Sequence, residues 1–125
     1  EVLALLLGWM LGQHVAWGAE SRTGTASWYS LASCRKEGTS GVMANGEALD
    51  DTAFTAASWD YPFATQLHVC RADRPTRCAV VEVRDRGPAQ RLVRQGRILD
   101  LSRAAFQALA PLAQGIINVT VEVVP

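Results

Sequence analysis

The chain carries no net charge, because its 12 lysines and arginines are matched by 12 aspartates and glutamates. A neutral chain produces neither the basic field that attracts nucleic acid nor the acidic field that attracts cations, so nucleic acid is not expected as a partner. Low-complexity tracts and internal repeats are also missing, while 49% of the 125 residues are hydrophobic. The sequence therefore predicts one folded globular domain with one core.

Histidine and cysteine are scarce. The two histidines are His14 and His68, and the three cysteines, Cys34, Cys70 and Cys78, form no C-x-x-C pair. Zinc sites need four such ligands, usually at short and regular spacing. No metal site is therefore expected.

The first 20 residues contain no basic residue, and the sequence does not begin with methionine. Residues 2–11 are almost wholly apolar, and Ala16 and Gly18 supply the small residues of a cleavage site. We expect residues 1–19 to be a signal peptide, truncated upstream and cleaved near Ala19, so that the protein is exported to the periplasm or cell envelope. The alternative is an N-terminal apolar segment that anchors the chain, although the run is shorter than the roughly 20 residues of a membrane span.

Cys70 and Cys78 flank a polar, proline-containing loop, RADRPTR, which joins two apolar runs. Disulfides persist in the oxidising compartments that an exported protein reaches. A bridge between the two cysteines across a hairpin is therefore predicted, the alternative being two free thiols beside a turn. Cys34 is then free, pairs with another chain, or is the true partner of one of the others.

Short apolar segments separated by turns predict a mainly β chain. The clearest strand is residues 116–124, in which isoleucine and valine alternate with polar residues. One short helix is predicted, with Ser102 as its N-cap and Pro111 marking its end. At this size, these elements favour a compact barrel.

Five motifs follow one another along the chain: GTASWYS, ANGEALD, FTAASWDYPFAT, VRDRGP and GRILDLSRAAFQAL. This series resembles the rare lipoprotein A-like family, septal-ring lytic transglycosylases related to barwin and the expansins. The resemblance implies a six-stranded double-psi β-barrel with one short α-helix over residues 22–125. It further implies an envelope protein that acts on peptidoglycan glycan strands without a metal or organic cofactor. Division-septum proteins are the further partners that it implies, and we expect a monomer.

The resemblance also implies which residues are catalytic. The family's proposed groups are the glutamate of an ANGE-like motif, a histidine after TAA, and the aspartate of DRGP; the matching positions here are Glu47, Ser58 and Asp85. The histidine is absent because serine occupies its position, and Ala64 stands where the family usually has glycine. Asp85 and Glu47 are therefore the expected catalytic residues.

A carboxyl group at position 85 suits the cleavage of a glycosidic bond, which needs a general acid for the leaving oxygen. In a lytic transglycosylase the C6 hydroxyl of muramic acid attacks, so Asp85 alone could act as base and then acid and leave anhydromuramyl ends. The missing histidine favours an alternative function, a non-catalytic, expansin-like glycan-binding module. On a purely structural interpretation, Asp85 caps a Gly-Pro turn and Glu47 is an exposed turn residue.

Five residues are expected to bind substrate: Asn45, Ser58, Trp59, Tyr61 and Arg86. Asn45 either lines the groove or only forms a turn, and Ser58 could donate a hydrogen bond. The rings of Trp59 and Tyr61 could stack on sugar faces, with burial in the core as the alternative. Arg86 could pair with lactyl carboxylates of muramic acid, although a solvated basic face is the more common meaning of an arginine run.

Overall fold

Six strands close into one barrel in the part of the chain that the structure, a computed structural model, describes, residues 21–125. The strands are β1 (Arg22–Tyr29), β2 (Thr55–Ala57), β3 (Gln66–Arg71), β4 (Cys78–Asp85), β5 (Arg97–Ser102) and β6 (Ile116–Val123). Their order around the barrel is β1-β5-β2-β4-β3-β6. The predicted mainly β, six-stranded barrel is confirmed, whereas the predicted signal peptide lies outside the described residues.

Alternation of side chains fills the barrel. In β6, Ile117, Val119 and Val121 are buried, while Asn118 between them is exposed, as the sequence pattern predicts. Phe106 is fully buried and packs with the strand residues in the same core. Burying such side chains is the main contribution to stability, at roughly 25 cal/mol per Å² of apolar surface.

Three short α-helices and one 3-10 turn lie among the described residues: α1 (Leu31–Lys36), α2 (Gln90–Val93), α3 (Arg103–Leu109) and the 3-10 turn Leu112–Gln114. The predicted helix is α3, and Ser102 caps it by accepting a hydrogen bond from the amide of Ala105. Helices α1 and α2 are additional to the one helix predicted. Helix α1 has a capping box made by Ser30 and Ser33, without the usual Glu or Gln at its third position. Within residues 21–125 no helix is long and apolar enough to cross a membrane.

The pairing of the strands places two aspartates on either side of one alanine. Ala57 of β2 pairs with Asp100 of β5 on one side and with Asp85 of β4 on the other. Because neighbouring strands lie about 4.8 Å apart, the two aspartate backbones are separated by about 10 Å. The barrel thus brings together two acids that are 15 residues apart in sequence.

The predicted disulfide is present. Cys70 and Cys78 face each other across β3 and β4 and are bonded to each other. Cys34 is the one free cysteine of the described residues, and its side chain is half-buried. The bridge closes the loop of residues 71–77 at its base.

Candidate active site

A cavity of about 450 Å³ is lined by Asp85 and Asp100, the two aspartates that pair with Ala57. Its size is within the range typical of small-molecule sites. Strands β1, β2, β4 and β5, helices α1 and α2 and the loop of residues 37–49 contribute to its wall. The residues that form it include Ser27, Trp28, Tyr29, Cys34, Glu37, Val42, Met43, Asp85, Arg86, Gly87, Leu92 and Asp100. We call this cavity the cleft.

Three donors hold the carboxylate of Asp85 in place. The Tyr29 hydroxyl donates to Oδ2 at 2.7 Å, and the backbone amides of Ala44 and Arg86 each donate to Oδ1 at 2.8 Å. Both oxygens accept, so an ionised carboxylate fits this environment without an unpaired donor. An ionised, oriented carboxylate can take a proton from a hydroxyl that binds beside it.

Tyr29 is a neutral donor to that carboxylate. Burial raises the pKa of Tyr29 far above its ordinary value, and the hydrogen bond to Asp85 adds to the effect. The hydroxyl therefore keeps its proton throughout the range of pH in which proteins function. Sequence analysis did not assign Tyr29 a role, because alternation alone does not tell which ring of the GTASWYS motif meets another strand.

Asp100 is the second carboxyl group in the cleft. Burial raises the pKa of Asp100, and the charges of Asp85 and Glu37 raise it further, while the hydrogen bond from Ser27 and the charge of Arg97 oppose the shift. The Ser27 hydroxyl donates to Asp100 Oδ1 at 2.6 Å. Asp100 thus keeps its proton to a higher pH than an ordinary aspartate, which suits a general acid.

Asp100 and Glu37 are cleft residues that the sequence analysis missed. Asp100 lies within the GRILDLS motif between the buried residues Leu99 and Leu101, so alternation predicts only that it faces away from the core. Glu37 is the C-cap of α1, a helix that was not predicted. The signal for Asp100 was a lone acid within an apolar strand; Glu37 had no comparable signal.

Glu47 and Asn45 form a turn next to Asp85, and neither is part of the cleft wall. The Asn45 amide donates to Glu47 Oε1 at 2.7 Å, and the Glu47 backbone amide donates to Asn45 Oδ1 at 3.0 Å. Glu47 is exposed and its Oε1 lies 3.7 Å from Nη1 of Arg84. The same turn presents the Ala44 amide to Asp85, so it borders the site through its backbone.

Ser58, at the position of the family histidine, is completely buried. Its backbone amide donates to the Asp85 carbonyl at 3.1 Å, and its hydroxyl accepts from the Asp60 amide at 3.0 Å. The position is therefore adjacent to Asp85, but the serine side chain binds the following loop and does not line the cleft.

Arg86 lines the cleft, yet its guanidinium group holds the loop of residues 58–63. Its Nη1 donates to the carbonyls of Ser58 at 2.9 Å and Tyr61 at 3.0 Å, and the group lies 4.0 Å from the ring centre of Phe63. The predicted contact of Arg86 with a lactyl carboxylate would compete with these bonds. The loop is thus tied to the base of the cleft.

The two aromatic residues predicted to stack on sugars are placed differently. Trp59 is 47% exposed, and its indole N–H donates to the Pro88 carbonyl at 2.6 Å, next to the cleft residue Gly87. Tyr61 is half-buried and packs against the barrel core, with the guanidinium of Arg22 over its ring. Trp59 therefore stands near the rim of the cleft, whereas Tyr61 supports the loop.

Comparison with known sequences matches the family described as lytic transglycolase over residues 21–121. The chain is 38% identical over 101 residues to a probable endolytic peptidoglycan transglycosylase RlpA of Nostoc sp., an alignment that covers 80% of this chain and 25% of that protein. It is 35% identical over 104 residues to the endolytic peptidoglycan transglycosylase RlpA of Vibrio cholerae, covering 83% of this chain and 36% of that one. The chain thus spans between a quarter and a little over a third of the length of these two relatives.

Among solved structures, the Streptomyces papain inhibitor is similar, with a TM-score of 0.61 and 26% identity over 85% of this chain and 96% of that one. Its name describes an inhibitor and not a transglycosylase. One barrel therefore supports more than one function, and the function of this chain must be argued from the residues of its cleft.

Proposed function

This chain belongs to the lytic transglycolase family, and from that premise we propose that it is an endolytic peptidoglycan transglycosylase, which cleaves glycan strands and leaves anhydromuramyl ends. The relatives of that name support the substrate class. The observation that carries the proposal is the presence of Asp85 and Asp100 in one cleft, on either side of Ala57. Their environments differ, as those of a base and an acid must.

In the proposed reaction, Asp85 is the base and Asp100 the acid. The C6 hydroxyl of a bound muramic acid attacks C1 of the same sugar, and its proton passes to Asp85. The bond between C1 and the glycosidic oxygen breaks as that oxygen takes the proton of Asp100. A 1,6-anhydro ring and a new hydroxyl end result, and no water is consumed. Solvent then returns the proton from Asp85 to Asp100.

This assignment extends the prediction from the family motif, in which Asp85 alone serves as acid and base. The raised pKa of Asp100 supports the extension, because a carboxyl group that keeps its proton to a higher pH is better suited to be the proton donor. The absent histidine is not required, since each proton transfer has a carboxyl group of its own. We assign Glu47 a positioning role, through the turn whose Ala44 amide holds Asp85.

The proposed substrate contacts follow from the same geometry. Trp59 presents its exposed ring beside the cleft rim, where a flat ring can stack on a sugar face. Asn45, Tyr61 and Arg86 act through the two loops that they hold in place. Because peptidoglycan lies outside the cytoplasmic membrane, we further propose an extracytoplasmic location and export by the apolar leader. We also propose that the protein is a monomer and that division-septum proteins are its partners.

Mass spectrometry of purified glycan strands after incubation with the protein tests this function. Products with anhydromuramyl ends are expected, and their molecular mass is lower by one water than that of hydrolysis products. Reducing ends would instead indicate a hydrolase. Binding of strands without any cleavage would replace the enzyme by the expansin-like binding module that the missing histidine favours.

A further inference from the structure

A second cavity of about 450 Å³ lies far from the cleft along strand β4. Cys78 begins this strand and Asp85 ends it. Its eight residues span about 23 Å at the usual rise of a strand. Arg71, Arg74 and Arg77 contribute to the wall of the second cavity, which we call the basic pocket.

The three arginines belong to one constrained loop. They recur every third residue between Cys70 and Cys78, which are joined by the disulfide. The Arg74 amide donates to the Arg71 carbonyl, the Arg77 amide to the Arg74 carbonyl, and the Arg71 amide to the Arg77 carbonyl, at 3.3, 2.8 and 3.0 Å. A loop fixed in this way loses little conformational freedom when its side chains bind a ligand.

Two of the three guanidinium groups form no ion pair within residues 21–125, although the pKa of Asp73 is lowered mainly by its hydrogen bond with Arg71 and, to a smaller extent, by the charge of Arg74. Arg71 forms a two-point ion pair with Asp73, at 2.9 and 2.8 Å, and also donates to the Leu109 carbonyl at 3.2 Å. Arg77 donates to the Ala108 carbonyl at 3.5 Å. Within residues 21–125, no carboxylate forms an ion pair with Arg74 or Arg77. The pocket thus has a surplus of two positive charges beside the single pair of Arg71 and Asp73.

The rest of the pocket favours a peptide over a simple anion. The exposed side-chain amides of Gln107 and Gln114 border it, and each can both donate to and accept from a peptide group. Ala110 and Pro111 provide an apolar wall, which suits a small side chain such as a methyl group. The exposed carboxylate of Asp73 at the loop would repel a polyanion more strongly than a single carboxylate.

We propose that the basic pocket binds a short peptide through its free C-terminal carboxylate, which Arg74 and Arg77 receive. Guanidinium groups pair with carboxylates through two parallel hydrogen bonds, and this gives direction as well as affinity. Peptides that end in carboxylates are attached to the glycan strands of peptidoglycan. The pocket would then hold a peptide while the cleft holds a strand, and this last step rests on the proposed function.

An NMR titration of the ¹⁵N-labelled full chain with N-acetyl-D-alanyl-D-alanine tests the pocket. We expect saturable shifts of the side-chain N–H signals of Arg74, Arg77, Gln107 and Gln114. The same peptide with an amidated C-terminus should bind at least about tenfold more weakly, as should the double variant Arg74→Ala with Arg77→Ala, because a bond to a charged group is lost. Arg91→Ala with Arg94→Ala, which removes two exposed charges from α2 and its C-cap, should bind as the wild type does.

Equal binding of the acid and the amide would overturn the proposal, as would the absence of saturation at millimolar peptide. Tighter binding of inorganic phosphate than of the peptide would overturn it too, in favour of a phosphate site. The circular dichroism of both double variants shows whether a loss reflects unfolding. Peptide binding by a protein that fails to cleave glycan strands would support the pocket and count against the proposed function alone.

Discussion

The hydroxyl of Tyr29 at the end of β1 donates a 2.7 Å hydrogen bond to Oδ2 of Asp85 at the end of β4. The other oxygen, Oδ1, accepts from two backbone amides. The Tyr29 hydroxyl is therefore the side-chain donor that holds Oδ2 in position.

Tyr29→Phe removes that donor and keeps the ring. We expect the turnover of strand cleavage to fall about tenfold, the effect of losing roughly 1.4 kcal/mol of alignment in the transition state. Steady-state kinetics with circular dichroism would check this. Unchanged turnover in a folded variant would mean that the two backbone amides suffice.

Asp85→Asn separates charge from shape. Its amide oxygen can accept from the Ala44 and Arg86 amides, and its NH₂ can donate to the Tyr29 hydroxyl, so the fold should be kept. Because the amide cannot take a proton, strand cleavage should fall at least about a hundredfold, while glycan binding changes only a few fold. Anhydromuramyl products are counted by mass spectrometry, and binding is measured by co-sedimentation. Cleavage near the wild-type rate would reduce Asp85 to a turn residue.

Asp100→Asn should change the dependence of stability on pH. Between the ordinary pKa of aspartate, about 3.9, and the raised pKa of Asp100, the folded protein binds more protons than the unfolded chain. The free energy of unfolding contributed by this group therefore falls as pH rises through that window. The asparagine variant lacks the fall, so its stability relative to the wild type should improve from pH 3.5 to pH 7. Urea unfolding of both proteins at both pH values measures the difference in their free energies of unfolding. The same difference at pH 3.5 and at pH 7 would contradict the burial of this carboxyl group.

Ser58→Ala tests whether the buried serine contacts substrate. The change leaves the Asp60 amide without its acceptor, which should cost about 1 kcal/mol of stability. The Michaelis constant for glycan strands should remain within about twofold, because the side chain is absent from the cleft wall. A large rise in that constant at unchanged stability would restore the substrate contact predicted from the motif.

The sequence predicted best the elements whose stability is local. Strand β6 alternates over its whole length, and α3 has its own N-cap in Ser102, so neither needs a distant partner to be recognised. The disulfide was also predictable, because Cys70 and Cys78 flank a single loop. Helix α1 escaped prediction because a serine replaces the usual Glu or Gln of its capping box and because it has no buried residue.

The sequence predicted one of the two carboxyl groups of the cleft but not the arrangement around it. Asp85 was identified from the DRGP motif, but its pairing with Tyr29 and its proximity to Asp100 depend on strands that meet only in the closed barrel. Alternation describes which way a side chain points and not which strand lies beside it. The burial that distinguishes Asp100 from the other acids is likewise a property of the assembled barrel.

The strand order of the barrel governs when this protein can begin to fold. Strand β1 has β5 and β6 as its neighbours. Thr25 therefore cannot pair until Arg97 is available, and Arg22 cannot pair until Val121 is available. The first strand therefore stays unpaired until almost all of the domain is free to fold, and closing such long loops makes folding slow. The exposed first strand would need protection from other chains during this interval. In the closed barrel of residues 21–125, each of the six strands has a neighbouring strand on both sides.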